Sequence, residues 1–298
     1  MRAYIFPGQG SQFVGMGKEL YEENSSVQDF FEHANDELGF DLIKLMFEGP
    51  ADKLRATNVT QPAIFLHSVV LSRTSRNFKP DVVAGHSLGE ISALVANRTL
   101  PFVEALRLVK LRSEAMQEAC AKTPSSMAAV LGLDDDSVTE VCNTITDEIV
   151  VAANYNCPDQ VVISGSLKGI EIATDKLVEA GARKVLALKV AGAFHSPIMA
   201  EANEKLKECI ASTTFRKPLC PIIQNSTGTA SDDPEEIRHN LMNHIVSPVY
   251  WSKSMRHIVQ MAEEAEEHLS FYEVGPGRIL QGLIKKLDSK LLASNLQN

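Results

Sequence analysis

The stretch Asp81-Val82-Val83-Ala84-Gly85-His86-Ser87-Leu88-Gly89-Glu90 changes character at its middle. Asp81 to Gly85 is a short apolar run ending on glycine, which predicts a strand, and from about Leu88 to Ala96 the chain reads as helix. Gly85-His86-Ser87-Leu88-Gly89 fits G-x-S-x-G between the two, the setting of a nucleophile elbow. The flanking glycines allow a sharp turn. The turn presents the serine hydroxyl at a helix N-terminus, where free N–H groups and the helix dipole favour developing negative charge. Ser87 is therefore the candidate nucleophile. The competing reading is a bystander serine in a glycine-rich turn.

The same alternation of short apolar and longer amphipathic runs extends in both directions. Ala3 to Phe6 predicts a first strand ended by Pro7-Gly8, and Phe102 to Ala121 a long helix with Pro101 in its first turn. This is the pattern of an α/β fold with a largely parallel sheet. Between about Ser125 and Val190 the order becomes strand, helix, two strands, helix, strand, the ferredoxin-like βαββαβ arrangement. The expected strands are Met127–Leu133, Glu148–Asn154, Gln160–Ser164 and Lys184–Val190. We expect a small subdomain, 124–192, inserted into a larger body formed by 1–123 and 193–298, with Thr123-Pro124 and Ala191-Gly192 as the crossings.

Composition narrows the function. The 298 residues are 44% hydrophobic and 22% charged, as in ordinary globular proteins. Twenty-nine Lys and Arg stand against 38 Asp and Glu, a net charge of −9 that disfavours nucleic acid as a partner. Five cysteines without a CxxC pair read as reduced thiols. The opening residues lack the apolar stretch of a signal peptide, and no run approaches the roughly 20 residues of a membrane span. A cytoplasmic protein without membrane association is expected. The histidines are scattered and no H-E-x-x-H occurs, so no metal is expected.

A nucleophilic serine needs a base. His195, in the loop Gly192-Ala193-Phe194-His195-Ser196-Pro197, is the candidate, against a buried structural histidine. His86 abuts the serine, but its side chain points away along the turn, which suits a supporting role. On the helix after Pro101, Glu104, Arg107, Lys110, Glu114 and Gln117 form one stripe, and Arg112 falls on the opposite one with Ala105, Val109, Met116 and Ala119. An inward arginine needs a counter-charge, since burying one without it costs on the order of several kcal/mol. Two sources stand open: an internal salt bridge, with Glu90 as one candidate, or an anion on the substrate, which guanidinium pairs bidentately. The loop Phe6-Pro7-Gly8-Gln9-Gly10-Ser11-Gln12 is not a dinucleotide fingerprint, because Phe13 holds the third glycine position. It can instead aim a backbone N–H at an oxyanion beside that of Leu88.

Read together, FPGQGSQ (6–12), TQPA (60–63), GHSLGE (85–90), Arg112 in its helix, GAFHS (192–196), PVYW (248–251) and EVGPG (273–277) resemble the malonyl-CoA:acyl carrier protein transacylase family nearly end to end. The resemblance implies an α/β-hydrolase-like core with a mostly parallel sheet plus the inserted ferredoxin-like subdomain. It implies transfer of malonyl from malonyl-CoA to an acyl carrier protein in fatty-acid biosynthesis, by a ping-pong cycle through a malonyl-serine, without a cofactor. Ser87 would be nucleophile and His195 base. The N–H groups of Gln9 and Leu88 would hold the oxyanion, and Arg112 would clamp the malonyl carboxylate. Phe194 before the histidine matches malonyl-preferring members. One position departs: His244 stands where members usually have glutamine, and its main-chain carbonyl would orient the catalytic histidine. A monomer is expected. Arg183, Lys184, Lys189, Arg278, Lys285 and Lys286 could flank the mouth of the site and meet an acidic carrier protein. The rival enzyme is a hydrolase, which would not need Arg112 for neutral acyl groups; a silent carrier-binding scaffold would not need Ser87 and His195.

Overall fold

A computed structural model describes residues 1–23 and 25–296. Among these residues ten strands are present: β1 (Arg2–Phe6), β2 (Val82–Gly85), β3 (Ser125–Leu131), β4 (Val150–Cys157), β5 (Gln160–Ser166), β6 (Lys184–Ala187), β7 (Ile222–Ile223), β8 (Ala230–Ser231), β9 (Ser270–Glu273) and β10 (Leu292–Asn295). The larger sheet runs β10-β9-β1-β2-β7-β8, parallel throughout except for β7 and β8. β1 and β2 lie at its centre in the register Ala3 to Val82 through Phe6 to Gly85. Their side chains alternate between two cores. Tyr4, Phe6 and Val83 enter the core on one face, while Ala3, Ile5, Val82 and Ala84 enter the core on the other. Burial on both faces is why these strands read as unbroken apolar runs.

The helix after β2 runs Leu88–Ala96, as the sequence predicts. The approach of this helix to the sheet explains both glycines of the motif. A Cβ on Gly85 would lie 1.9 Å from the Gly89 carbonyl carbon, and one on Gly89 would lie 2.0 Å from the Phe6 carbonyl oxygen. The long helix spans Phe102–Lys122, with Pro101 as the extended residue that precedes it and not part of its first turn.

The second sheet has the order β4-β5-β3-β6 with every pair antiparallel, the ferredoxin-like order expected from the sequence. Its helices, Asp135–Asn143 and Leu167–Glu179, are capped by Asp134 and Ser166, whose side chains accept from the N–H groups of Ser137 and Gly169. Strand limits differ from expectation where backbone geometry intervenes. β3 ends at Leu131 because Gly132 turns the chain at φ +87°, and β4 reaches Cys157. β6 stops at Ala187, although the Leu188 N–H still donates to Met127. One face of this sheet packs Ala128, Val130, Val161 and Ile163 against its own helices. The other contributes Met127, Ala129, Ala153 and Val162 to the core of the larger body. The two parts are also sewn together by backbone: Tyr155 donates to the Val249 carbonyl at 2.9 Å, and Val249 to that of Ala153 at 2.8 Å. No helix among the described residues is long and apolar enough to cross a membrane.

Gly85→Ala is expected to destabilise the protein by at least about 3 kcal/mol, because the added methyl meets backbone that cannot rotate away. That corresponds to a fall in Tm of roughly 6–12 °C. A thermal melt within a degree or two of the parent would contradict the close approach.

Candidate active site

Residues that sequence reasoning gathered from distant positions converge at the C-terminal edge of the larger sheet, where parallel sheets place their ligands. Ser87 follows β2, and Gly8 and Gln9 follow β1. Asn225 follows β7, and His195 lies on the return from the small sheet. Gln9, Gln61, Ser87, Leu88, Arg112 and His195 line a cavity of about 220 Å³, with Met116, Met127, Val162 and Phe194 supplying apolar wall, and Asn225 lies behind Ser87 outside this lining. A larger open depression of about 730 Å³ near Tyr4 and Tyr272 shares no lining residue with it and holds no serine–histidine pair.

Ser87 adopts φ 52° and ψ −111° at the N-cap of its helix. Its Oγ lies 2.7 Å from His195 Nε2 and accepts from Arg112 Nη2 at 3.0 Å. The direction of the first bond follows from the other side of the ring. His195 Nδ1 faces two carbonyl oxygens, His244 at 3.1 Å and Ser247 at 3.0 Å, and a carbonyl can only accept. Nδ1 therefore carries the proton, Nε2 is the acceptor, and the Ser87 hydroxyl donates to it. A hydroxyl donating to a neutral imidazole held in this tautomer is positioned to lose its proton on attack. The His244 carbonyl thus faces the ring together with that of Ser247.

Burial sets the electrostatics. His195 is 2% exposed, and desolvation, then the Arg112 charge, then His86 push its pKa down to about 3. Arg112 is likewise buried, and desolvation lowers its pKa to about 10, opposed by Glu90. Its Nη1 donates to Gln61 Oε1 at 2.6 Å, while Nε has no partner among the described residues. Glu90, the sequence candidate for an ion pair with Arg112, makes no such bond. Its carboxylate accepts from the Asn225 N–H at 2.7 Å and from Gln224 Nε2 at 3.2 Å. Desolvation pushes Glu90 up to about 7. The guanidinium thus reaches the cavity with neutral partners and an unused N–H, as a group arranged for an anion from outside would be.

The Gln9 and Leu88 N–H groups make no hydrogen bond among the described residues. His86 turns away from the serine, and its Nε2 pairs with Asn156 Oδ1 of the small sheet at 2.8 Å. The His244 side chain is buried within 3.3 Å of Asn225 Oδ1 and 3.8 Å of Glu90 Oε2, and desolvation holds its pKa well below the ordinary imidazole value. Sequence reasoning did not assign roles to Gln61, Asn225 or Ser247. Gln61 had a signal, a long polar side chain inside a buried apolar helical run, whereas Ser247 acts through backbone and has none.

Known proteins resemble this chain along almost its whole length. The acyl transferase domain matches residues 3–293. The malonyl CoA-acyl carrier protein transacylase of Bacillus subtilis (strain 168) is 41% identical over 293 residues, covering 97% of this chain and 91% of that protein. That of Staphylococcus aureus (strain MRSA252) is 38% identical over 297 residues, with coverages of 99% and 95%. Among solved structures, the transacylase of Coxiella burnetii superposes with a TM-score of 0.91 at 35% identity, covering 99% of this chain and 93% of that one. A malonyl-transacylase solved in complex with a type II PKS acyl-carrier protein gives a TM-score of 0.91 at 36% identity, with coverages of 100% and 96%. A serine–imidazole pair beside a buried guanidinium, on a chain matched along almost its whole length, leaves one conclusion: the chain belongs to the acyl transferase family, among the malonyl CoA-acyl carrier protein transacylases.

Proposed function

We propose that this protein moves a malonyl group from malonyl-CoA to the phosphopantetheine thiol of an acyl carrier protein, in fatty-acid biosynthesis, by a ping-pong cycle through a malonyl-serine. The observation that carries this reading is the sharing of the Ser87 hydroxyl between His195 Nε2 at 2.7 Å and Arg112 Nη2 at 3.0 Å inside one cavity. A base for the hydroxyl and a cation for a second carboxylate, both within reach of one oxygen, suit a dicarboxylic half-thioester.

In the first half-reaction, Ser87 Oγ attacks the thioester carbonyl as its proton passes to His195 Nε2. The oxyanion is held by the N–H groups of Gln9 and Leu88. The C–S bond breaks, and the imidazolium returns its proton to the departing CoA sulfur. In the second half-reaction, His195 takes the proton of the pantetheine thiol, the sulfur attacks the malonyl-serine, and the proton returns to Ser87 as the C–O bond breaks. Arg112 pairs with the malonyl carboxylate throughout. Its Nη1 is fixed by Gln61, so the cation is oriented before the cargo arrives. The carbonyls of His244 and Ser247 keep the imidazole in its working tautomer. Residues 1–123 and 193–298 act as the catalytic subdomain, and 124–192 closes the other side of the cleft. Lys286, which donates to Gln160 on the cavity wall at 2.8 Å, places one of the exposed basic residues at the rim for an acidic carrier protein.

Ser87→Ala is expected to abolish the covalent malonyl adduct, and a residual adduct detected by mass spectrometry would refute the assignment. Arg112→Ala is expected to reduce the malonyl-to-acetyl preference in kcat/KM at least about a hundredfold, since truncating one side of a buried charge pair costs roughly 3–5 kcal/mol. An unchanged ratio would remove the clamp. The pH dependence has a defined sign. A base whose pKa is lowered to about 3 stays neutral until the pH falls toward that value. Rates of the first half-reaction should therefore stay nearly level from pH 8 to 5, where an ordinary imidazole of pKa near 6.5 would lose about thirtyfold. A limb near pH 6.5 would contradict the buried base.

A further inference from the structure

Asn225 is 1% exposed, and each of its polar groups is used. Its side-chain Oδ1 accepts from the Ser87 N–H at 2.7 Å, and its Nδ2 donates to the Gly85 carbonyl at 2.6 Å. Its own N–H donates to Glu90 Oε2 at 2.7 Å, and its carbonyl accepts from the Tyr250 N–H at 2.9 Å. One amide thus grips the strand side and the helix side of the turn that carries the nucleophile, and the backbone of the same residue is fixed from two further elements. The amide orientation is determined, because only an acceptor can face the Ser87 N–H and only a donor can face the Gly85 oxygen.

The geometry points to Asn225 as the positioning residue of the elbow, the group that holds Ser87 at positive φ with Oγ toward His195 and the Leu88 N–H free for the cavity. By capturing the Ser87 N–H on the far side of the turn, it separates that N–H from the neighbouring Leu88 N–H, which has no partner among the described residues. A turn relaxed toward negative φ would carry the hydroxyl away from the imidazole. Asn225 touches neither His195 nor Arg112 in any hydrogen bond, so its contribution falls on the reaction step and not on capture of the cargo. This inference rests on Ser87 being the nucleophile.

Asn225→Asp gives a test that a purely structural role would not pass. A neutral carboxyl offers one acceptor and one O–H donor, the same pattern as the amide, whereas a carboxylate offers no donor to the Gly85 carbonyl. The groups facing this position are Glu90 from the helix Leu88–Ala96 and the His244 side chain, with Arg112 acting on both and His195 beyond His244. Burial beside Glu90 and a carbonyl favours the neutral carboxyl on acidification. The full-length wild type, Asn225→Asp, Asn225→Ser and Ser87→Ala would be mixed with malonyl-CoA, and acylation would be followed by rapid quench and mass spectrometry from pH 5.5 to 8.5.

At pH 8 the Asn225→Asp variant is expected to acylate about a hundredfold more slowly than wild type, with KM changed less than about threefold. Its deficit relative to wild type should shrink about tenfold by pH 5.5. Asn225→Ser, too short to bridge both partners and without a titrating group, should show a similar loss in kcat with no recovery. It carries the test alone if the aspartate variant does not fold. A deficit of Asn225→Asp that is flat with pH, a loss wholly in KM, or wild-type acylation by either variant would overturn the positioning role. An adduct that persists in Ser87→Ala would instead overturn the nucleophile assignment on which the role rests.

Discussion

Ser87 holds φ 52° and ψ −111°, a conformation that costs a non-glycine residue about 1–3 kcal/mol, and the surrounding structure keeps it there. Gly85 and Gly89 allow the helix to press against β1 and β2 with backbone almost touching backbone. The His86 N–H donates to the Phe6 carbonyl at 2.9 Å, which ties the turn to the neighbouring strand. Asn225 closes the turn from a third direction. The hydroxyl that results points at one imidazole and one guanidinium, and the placement of both has meaning only relative to that oxygen.

The second constraint is burial. Arg112, His195, His244 and Glu90 are all nearly inaccessible, and in each case desolvation is the largest influence on its protonation. Burial disfavours every charge, so each group is held by dipoles in place of full counter-ions. Gln61 serves Arg112, carbonyls serve His195, and backbone N–H with Gln224 serves Glu90. A buried guanidinium surrounded by neutral partners is strongly disposed to meet a carboxylate.

Much of this was readable from the chain. G-x-S-x-G announced the turn because its glycines are demanded by packing that leaves no room for a side chain, and such demands are local in sequence. Arg112 announced itself by breaking an apolar helical stripe. The βαββαβ order was readable because each element carries its own periodicity, whereas the strand ends shifted where a single glycine or a neighbouring strand set the limit. Long-range pairings were not readable. Glu90 was one candidate partner for Arg112 beside an anion on the substrate, yet Asn225, far along the chain, occupies its carboxylate. Ser247 orients the imidazole through a carbonyl that any residue would supply, so its identity leaves no trace in the letters.

The backbone seam at Val249 has a mechanical consequence. Val249 is joined to β4 on both sides, and only two residues before it the Ser247 carbonyl holds the imidazole. Swinging the small sheet outward to widen the cleft would drag on that carbonyl and twist the ring off its oxygen. The seam therefore couples the position of the small sheet to the orientation of the ring, and a hinge between the two halves would strain a contact that aims the imidazole.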